Sequence, residues 1–217
     1  LSVGDLNADG YEDVFITSSM NYPFRYGVNS LLLNERGERF LDSEFVLGVE
    51  PRRGHRTAKP WFALDCAGAD SEHPRCKDQD GSIEIWGALG SRSSAILDID
   101  GDGDLDIVTN EFNAAPQVLI SDLSEKKELR FLKIDLEGTR SNRDGLGAIV
   151  KVRADGQSYT KVRDGKSGYL SQSLMPLYFG LGDATVIEQI EVRWLSGHTQ
   201  TLVGPIETNK LLVIAEE

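Results

Sequence analysis

No stretch of this sequence strings together the roughly 20 apolar residues that a membrane-spanning helix needs, so no such helix is expected. Basic residues are scarce in the first part of the chain: residues 1–125 hold 10 Lys and Arg against 23 Asp and Glu. Residues 126–217 hold 13 against 12, so the whole of the formal net charge of −12 belongs to the N-terminal half. An acidic surface of that kind argues against nucleic acid and against an anionic membrane as partners. Histidine is limited to His55, His73 and His198, and none accompanies a Gly-x-Ser-x-Gly nucleophile turn. Gly101-Asp102-Gly103 is no phosphate cradle, because acidic side chains crowd the place where free amides and positive charge are needed. The first half also lacks helical periodicity.

Two short acidic stretches stand out against this background. One is Asp5-Leu6-Asn7-Ala8-Asp9-Gly10-Tyr11-Glu12-Asp13 and the other Asp98-Ile99-Asp100-Gly101-Asp102-Gly103-Asp104-Leu105-Asp106. Both carry oxygen-bearing side chains at relative positions 1, 3, 5 and 9 and Gly at position 6. Such crowding is strongly repulsive unless a cation sits among the oxygens. Hard oxygen donors in alternation around a tight Gly turn suit Ca²⁺, with position 7 (Tyr11, Asp104) offering its backbone carbonyl. An EF-hand is excluded, since it needs Glu at position 12, where Ile16 and Thr109 stand, and a helix on each side. The flanks, Val14-Phe15-Ile16, Ala95-Ile96-Leu97 and Ile107-Val108-Thr109, read as buried strands, which makes each loop a cation-clipped β-hairpin connection. The alternative is a pair of solvated acidic turns without metal.

These stretches resemble FG-GAP (VCBS-type) repeats, which build β-propeller blades. The resemblance implies two Ca²⁺ sites with ligands Asp5, Asn7, Asp9, Tyr11 and Asp13 in the first, and Asp98, Asp100, Asp102, Asp104 and Asp106 in the second. Asn7 in place of an Asp lowers the charge of the first site. Asn29 to Asn34 followed by Glu35 to Phe40 reads as strand, turn and strand, as at the end of such a blade. The two loops lie 93 positions apart, more than one blade of roughly 40–60 residues. The excess falls in an insertion at about residues 50–90. There Asp78-Gln79-Asp80-Gly81 mimics half a calcium motif but reads as a hairpin turn, because Cys76 stands at its first position. Two blades and a candidate third cannot close a propeller of four to eight. The missing blades are expected from upstream sequence, since the chain opens on Leu1 almost directly at a loop, or from another subunit.

The insertion carries Cys66 and Cys76, for which a disulfide is the preferred reading. A zinc site with His73 and His55, or two free thiols, are the alternatives. It also carries a basic cluster, Arg52, Arg53, Arg56 and Lys59, a candidate site for an anionic partner or else a loop that balances nearby carboxylates.

The character of the chain changes near residue 125. Leu132, Ile134 and Leu136 alternate with polar residues, as do Val150 with Val152 and Ile190 with Val192 and Trp194, and Leu211 with Val213 suggests a last strand. Turns are expected at Asp155-Gly156, Asp164-Gly165 and Ser196-Gly197. Several one-faced strands separated by turns imply an antiparallel sandwich or barrel. Residues 141–148, 167–173, Phe179 to Gly182 and Val192 to Gly197 resemble the ASPIC/UnbV domain, with Leu195 where that family usually has Pro. The expected fold is therefore all-β: incomplete propeller blades over residues 1–124 and an ASPIC/UnbV-like sandwich or barrel over 125–217. The functional expectation is a calcium-binding, non-catalytic extracellular, periplasmic or lumenal module for structure, adhesion or interaction with a protein or glycan. The alternative is a carbohydrate-active hydrolase or glycan-binding protein that uses acidic residues of the propeller face.

Overall fold

The computed structural model describes residues 1–18, 25–52, 54, 56–169 and 171–217. Among these residues the chain is all-β, apart from one short helix and 3-10 turns. Strands β1 (Ser2–Gly4), β2 (Asp13–Ile16), β3 (Ser30–Glu35) and β4 (Arg39–Asp42) form an antiparallel meander. A three-residue strand, β1, precedes the first acidic loop. The β3–β4 turn falls where the sequence placed it, with Arg36 and Gly37 at φ 54° and 78°. Strands β5 (Ala58–Asp65) and β6 (Ser82–Ala88) make a separate hairpin within the expected insertion. Next, β7 (Gly90–Leu97), β8 (Asp106–Phe112) and β9 (Gln117–Leu119) repeat the meander order of β1, β2 and β3. The two meanders share an apolar core of Phe15, Leu31, Val49 and Ile107, with Leu6, Ile96 and Leu119 packed against it. Phe15 of β2 and Ile107 of β8, among the aromatic and β-branched residues that marked those strands in the sequence, supply half of it.

Cys66 and Cys76 are joined by a disulfide across a Cα–Cα distance of 5.1 Å. Together with Leu64 and Ile85 they form a small core beneath the β5–β6 connection. The zinc alternative falls with that bond, since disulfide sulfurs have no thiolate to offer. The Nδ1 of His73 instead accepts the backbone N–H of Arg75 at 3.2 Å.

A short helix, α1 (Leu123–Lys126), leads into the C-terminal strands β10 (Phe131–Glu137), β11 (Ile149–Ala154), β12 (Gln157–Val162), β13 (Leu177–Gly180), β14 (Val186–Arg193), β15 (Thr199–Glu207) and β16 (Lys210–Ala215). They form two sheets, ordered β12-β11-β14-β15 and β13-β10-β16. Neither closes into a barrel. Leu132, Ile134, Leu136, Val150, Val152, Ile190 and Val192 fill the space between the sheets and are at most 2% exposed. The period-two pattern therefore marks the inner face correctly on β10, β11 and β14. Asp155 and Gly156, at φ 48° and 72°, make the two-residue turn between β11 and β12.

Two expectations are corrected. The sheet is not wholly antiparallel, because β16 runs parallel to β10, pairing Leu132 with Lys210 through Glu137 with Ala215. On β16 it is Leu212 and Ile214 that face the core, whereas Leu211 and Val213 are 53% and 51% exposed. An unbroken run of apolar residues from 211 to 214 carries no alternation, and parallel pairing to β10 chooses the inner face.

The start of the segment 141–148 packs around a buried carboxylate. The Glu216 carboxylate, buried at 3% exposure, accepts the backbone N–H groups of Thr139, Arg140 and Ser141 at 3.0, 2.8 and 2.7 Å. The hydroxyls of Ser141 and Ser196 close the cage at its other oxygen. Burial works against the charge, but the Ser196 hydroxyl and these amides prevail and hold the carboxyl down at about 2. A depressed carboxyl contributes stability above its ordinary pKa and loses it as the pH falls towards the folded value. Glu216→Gln is accordingly expected to lower the thermal midpoint at pH 7, with the difference from wild type shrinking as the pH falls from 4.5 towards 2. Replacing both Cys66 and Cys76 by Ala is expected to cost about 2–3 kcal/mol in chemical denaturation, from the loop closure alone.

Candidate metal centre

Both acidic stretches connect antiparallel strands, the first β1 to β2 (Gly4 opposite Asp13) and the second β7 to β8 (Leu97 opposite Asp106). They share one hydrogen-bond plan. The carboxylate at position 9 accepts the N–H at position 2: Leu6 to Asp13 and Ile99 to Asp106, both at 2.8 Å. Its second oxygen accepts an N–H just beyond or within the third strand: Asn34 to Asp13 and Ser121 to Asp106, again both at 2.8 Å. The carboxylate at position 1 accepts the N–H of the position-6 glycine, Gly10 to Asp5 at 2.8 Å and Gly103 to Asp98 at 2.9 Å. The N–H at position 7 goes to position 5, Tyr11 to Asp9 at 2.9 Å and Asp104 to Asp102 at 3.1 Å. Both glycines have positive φ, 92° and 99°, which a side chain would strain. Two stretches far apart in sequence thus build one geometry.

In the second loop Asp98, Asp100 and Asp106 each bring a carboxylate oxygen within 4.8 Å of the others. Oδ1 of Asp104 is buried without a hydrogen-bond partner, while its other oxygen takes the N–H of Ser124. Hard, anionic oxygens of Asp98, Asp100 and Asp106 at that spacing fit a hard divalent cation. In the first loop Asp5 and Asp13 are 2% and 0% exposed, and Asn7 and Asp9 are half-buried; Tyr11 keeps its ring near the surface. Burial pushes the Asp5 carboxyl up to about 7, against the pull of the Gly10 amide and Lys161. It pushes Asp13 up to about 6, against the amides of Asn34 and Leu6. Burial likewise raises Asp106. A bound cation would offset that burial penalty on the charged carboxylates.

The C-terminal sandwich sits directly on both loops. A Cβ on Gly10 would meet Tyr159 of β12 at 2.3 Å, and one on Gly180 of β13 would meet Oδ2 of Asp5 at 1.9 Å. A Cβ on Gly103 would meet the Phe131 ring of β10 at 2.3 Å. That ring stacks on Tyr178 of β13 at 5.6 Å, and the Tyr178 hydroxyl donates to the carbonyl of Gly103 at 2.9 Å. Three lysines reach across: Lys127 to the carbonyl of Asn7, Lys161 to Glu12 and Lys133 to Asp98. Sequence reasoning missed every one of these contacts. The one signal was an outer strand face bearing Phe131 and Lys133 between core residues. Beside the second loop a cleft of 760 Å³ opens between the halves; of the charged side chains that line it, Lys133, Lys161 and Arg163 are ion-paired, with Asp98, Glu12 and Asp135.

Arg52 is buried at 4% exposure, paired with Glu111, 3.0 Å from the Ser91 hydroxyl and 5.4 Å from the Tyr26 ring centre. It balances a buried carboxylate and is no free surface cation. Arg56 and Lys59 are exposed, and Arg53, like His55, lies outside the described residues.

Residues 138–217, from the end of β10 to the last residue, match the family model described as ASPIC and UnbV. No curated protein matches the chain. Among the described residues no helix is long and apolar enough to cross a membrane.

Gly103→Ala is expected to cost at least about 2 kcal/mol in denaturant unfolding, because it combines a positive φ with a ring collision. Gly101→Ala has the same sign of φ but nothing within 4 Å of its Cβ, so only the backbone cost of about 1 kcal/mol applies.

Proposed function

We propose that this chain is a calcium-binding, non-catalytic module of an extracellular, periplasmic or lumenal protein, with two FG-GAP-like blades carrying one Ca²⁺ site each. The observation that carries this reading is the shared hydrogen-bond plan of the two acidic loops, in which the same relative positions point oxygens inward at two distant places in the chain. Asp5, Asn7, Asp9 and Asp13 supply side-chain oxygens in the first site, and Asp98, Asp100, Asp102 and Asp106 in the second. Tyr11 and Asp104 add backbone carbonyls. Calcium there is structural: it offsets like charges within a turn and pins the hairpin to its meander. The disulfide supports an oxidising compartment. The binding partner is a protein or a glycan, and the two meanders are completed into a propeller by further blades from the same protein or from another subunit.

The test is thermal unfolding across a Ca²⁺ titration, with Mg²⁺ and EDTA controls. A calcium-specific rise in midpoint is expected, since a ligand at 100 times its dissociation constant adds about 2.7 kcal/mol. Asp100→Ala and Asp102→Ala should lower stability in millimolar Ca²⁺ and change little in chelator. Equal losses in both conditions would overturn a calcium-dependent role for these carboxylates.

A further inference from the structure

The two loops differ in one respect that their common geometry makes plain. The first has three carboxylates among its side-chain ligand positions, Asp5, Asp9 and Asp13, with Asn7 as the fourth. The second has four, Asp98, Asp100, Asp102 and Asp106. Only at the second does a lysine ion-pair with a ligand-position carboxylate among the described residues: Lys133 contacts Oδ2 of Asp98. At the first loop, Lys161 takes Glu12 and Lys127 the carbonyl of Asn7, so both bond beside the ligand carboxylates.

Lys133 is held there by its own domain. Residues 131 and 133 alternate to the same face of β10, so Phe131 and Lys133 both face the loop. The Lys133 ammonium lies 5.2 Å from the centre of the Phe131 ring, whose edge covers Gly103. The Lys133 and Asp98 side chains are only 20% and 3% exposed, so water screens the pair weakly. We propose that Lys133 is a built-in counter-cation at the second loop, delivered by the sandwich, which offsets the fourth carboxylate and holds down the loop's affinity for Ca²⁺. The inference rests on the calcium reading of the loops. It adds that the affinity of the second site is set by a residue of the other half of the chain. By linkage, whatever seats the sandwich on this loop opposes cation entry, and cation entry loosens the Lys133 contact.

The test is calorimetric titration of the full chain with CaCl₂ after treatment with chelator, comparing wild type with Lys133→Met and Lys133→Arg. Removing a unit charge within contact distance of a ligand oxygen is expected to tighten one of the two sites by at least about tenfold. The other site should stay unchanged, and Lys133→Arg should bind like wild type. In EDTA, Lys133→Met should also melt below wild type, because Asp98 loses its partner, and the gap should close in saturating Ca²⁺. If Lys133→Met does not fold without calcium, Lys133→Gln is used, and a larger calcium-induced rise in midpoint than in wild type is the expected result. Two binding events of unchanged affinity in the neutral variants would overturn the counter-cation and leave the calcium sites standing. No binding by any of the proteins would overturn both.

Discussion

The buried carboxylates at Asp13 and Asp106 are the interaction on which the N-terminal half depends. Each accepts one amide from inside its loop and one from the neighbourhood of the third strand, so a single side chain fixes the turn and ties it to the next element. A carboxylate without exposure is tolerated only where donors or a cation compensate its lost hydration. The amides supply part of that compensation. The upward displacement of Asp5, Asp13 and Asp106 indicates that they do not supply all of it.

The same loops are also the seat of the C-terminal sandwich. Glycine at position 6 serves two ends: it permits the positive φ of the turn, and it lets an aromatic ring lie against the backbone, Tyr159 at Gly10 and Phe131 at Gly103. A residue type that looks like simple turn chemistry therefore also sets the distance of closest approach between the halves. The Tyr178 hydroxyl and the three lysines add directional contacts to that packing. A charged loop and an aromatic, basic sheet face make a complementary pair, in which the largely buried Lys133–Asp98 contact gains strength.

How far the sequence could be read followed the range of the forces involved. Period-two alternation identified β10, β11 and β14 because one face of each is buried between sheets. It failed on β16, where four successive apolar residues carry no phase. The strands β12 and β15 escaped because their inward positions are only partly buried. Arg52 looked like a surface cation because its partner, Glu111, lies 59 positions away. Lys133 drew no attention for the same reason, its partner Asp98 being 35 positions distant.

By itself the sequence determined the two acidic loops, their spacing of oxygen donors, the all-β character and the near-neutral charge of the second half. These are local properties, set by hard-sphere limits on the backbone, by side-chain chemistry and by a period of two or nine residues. Only the tertiary structure decided that the loops are equivalent in their bonding, that they bear the weight of the sandwich, and that β16 pairs in parallel with β10. Which lysine meets which carboxylate was likewise decided there, because such pairs form between side chains whose proximity no local pattern encodes.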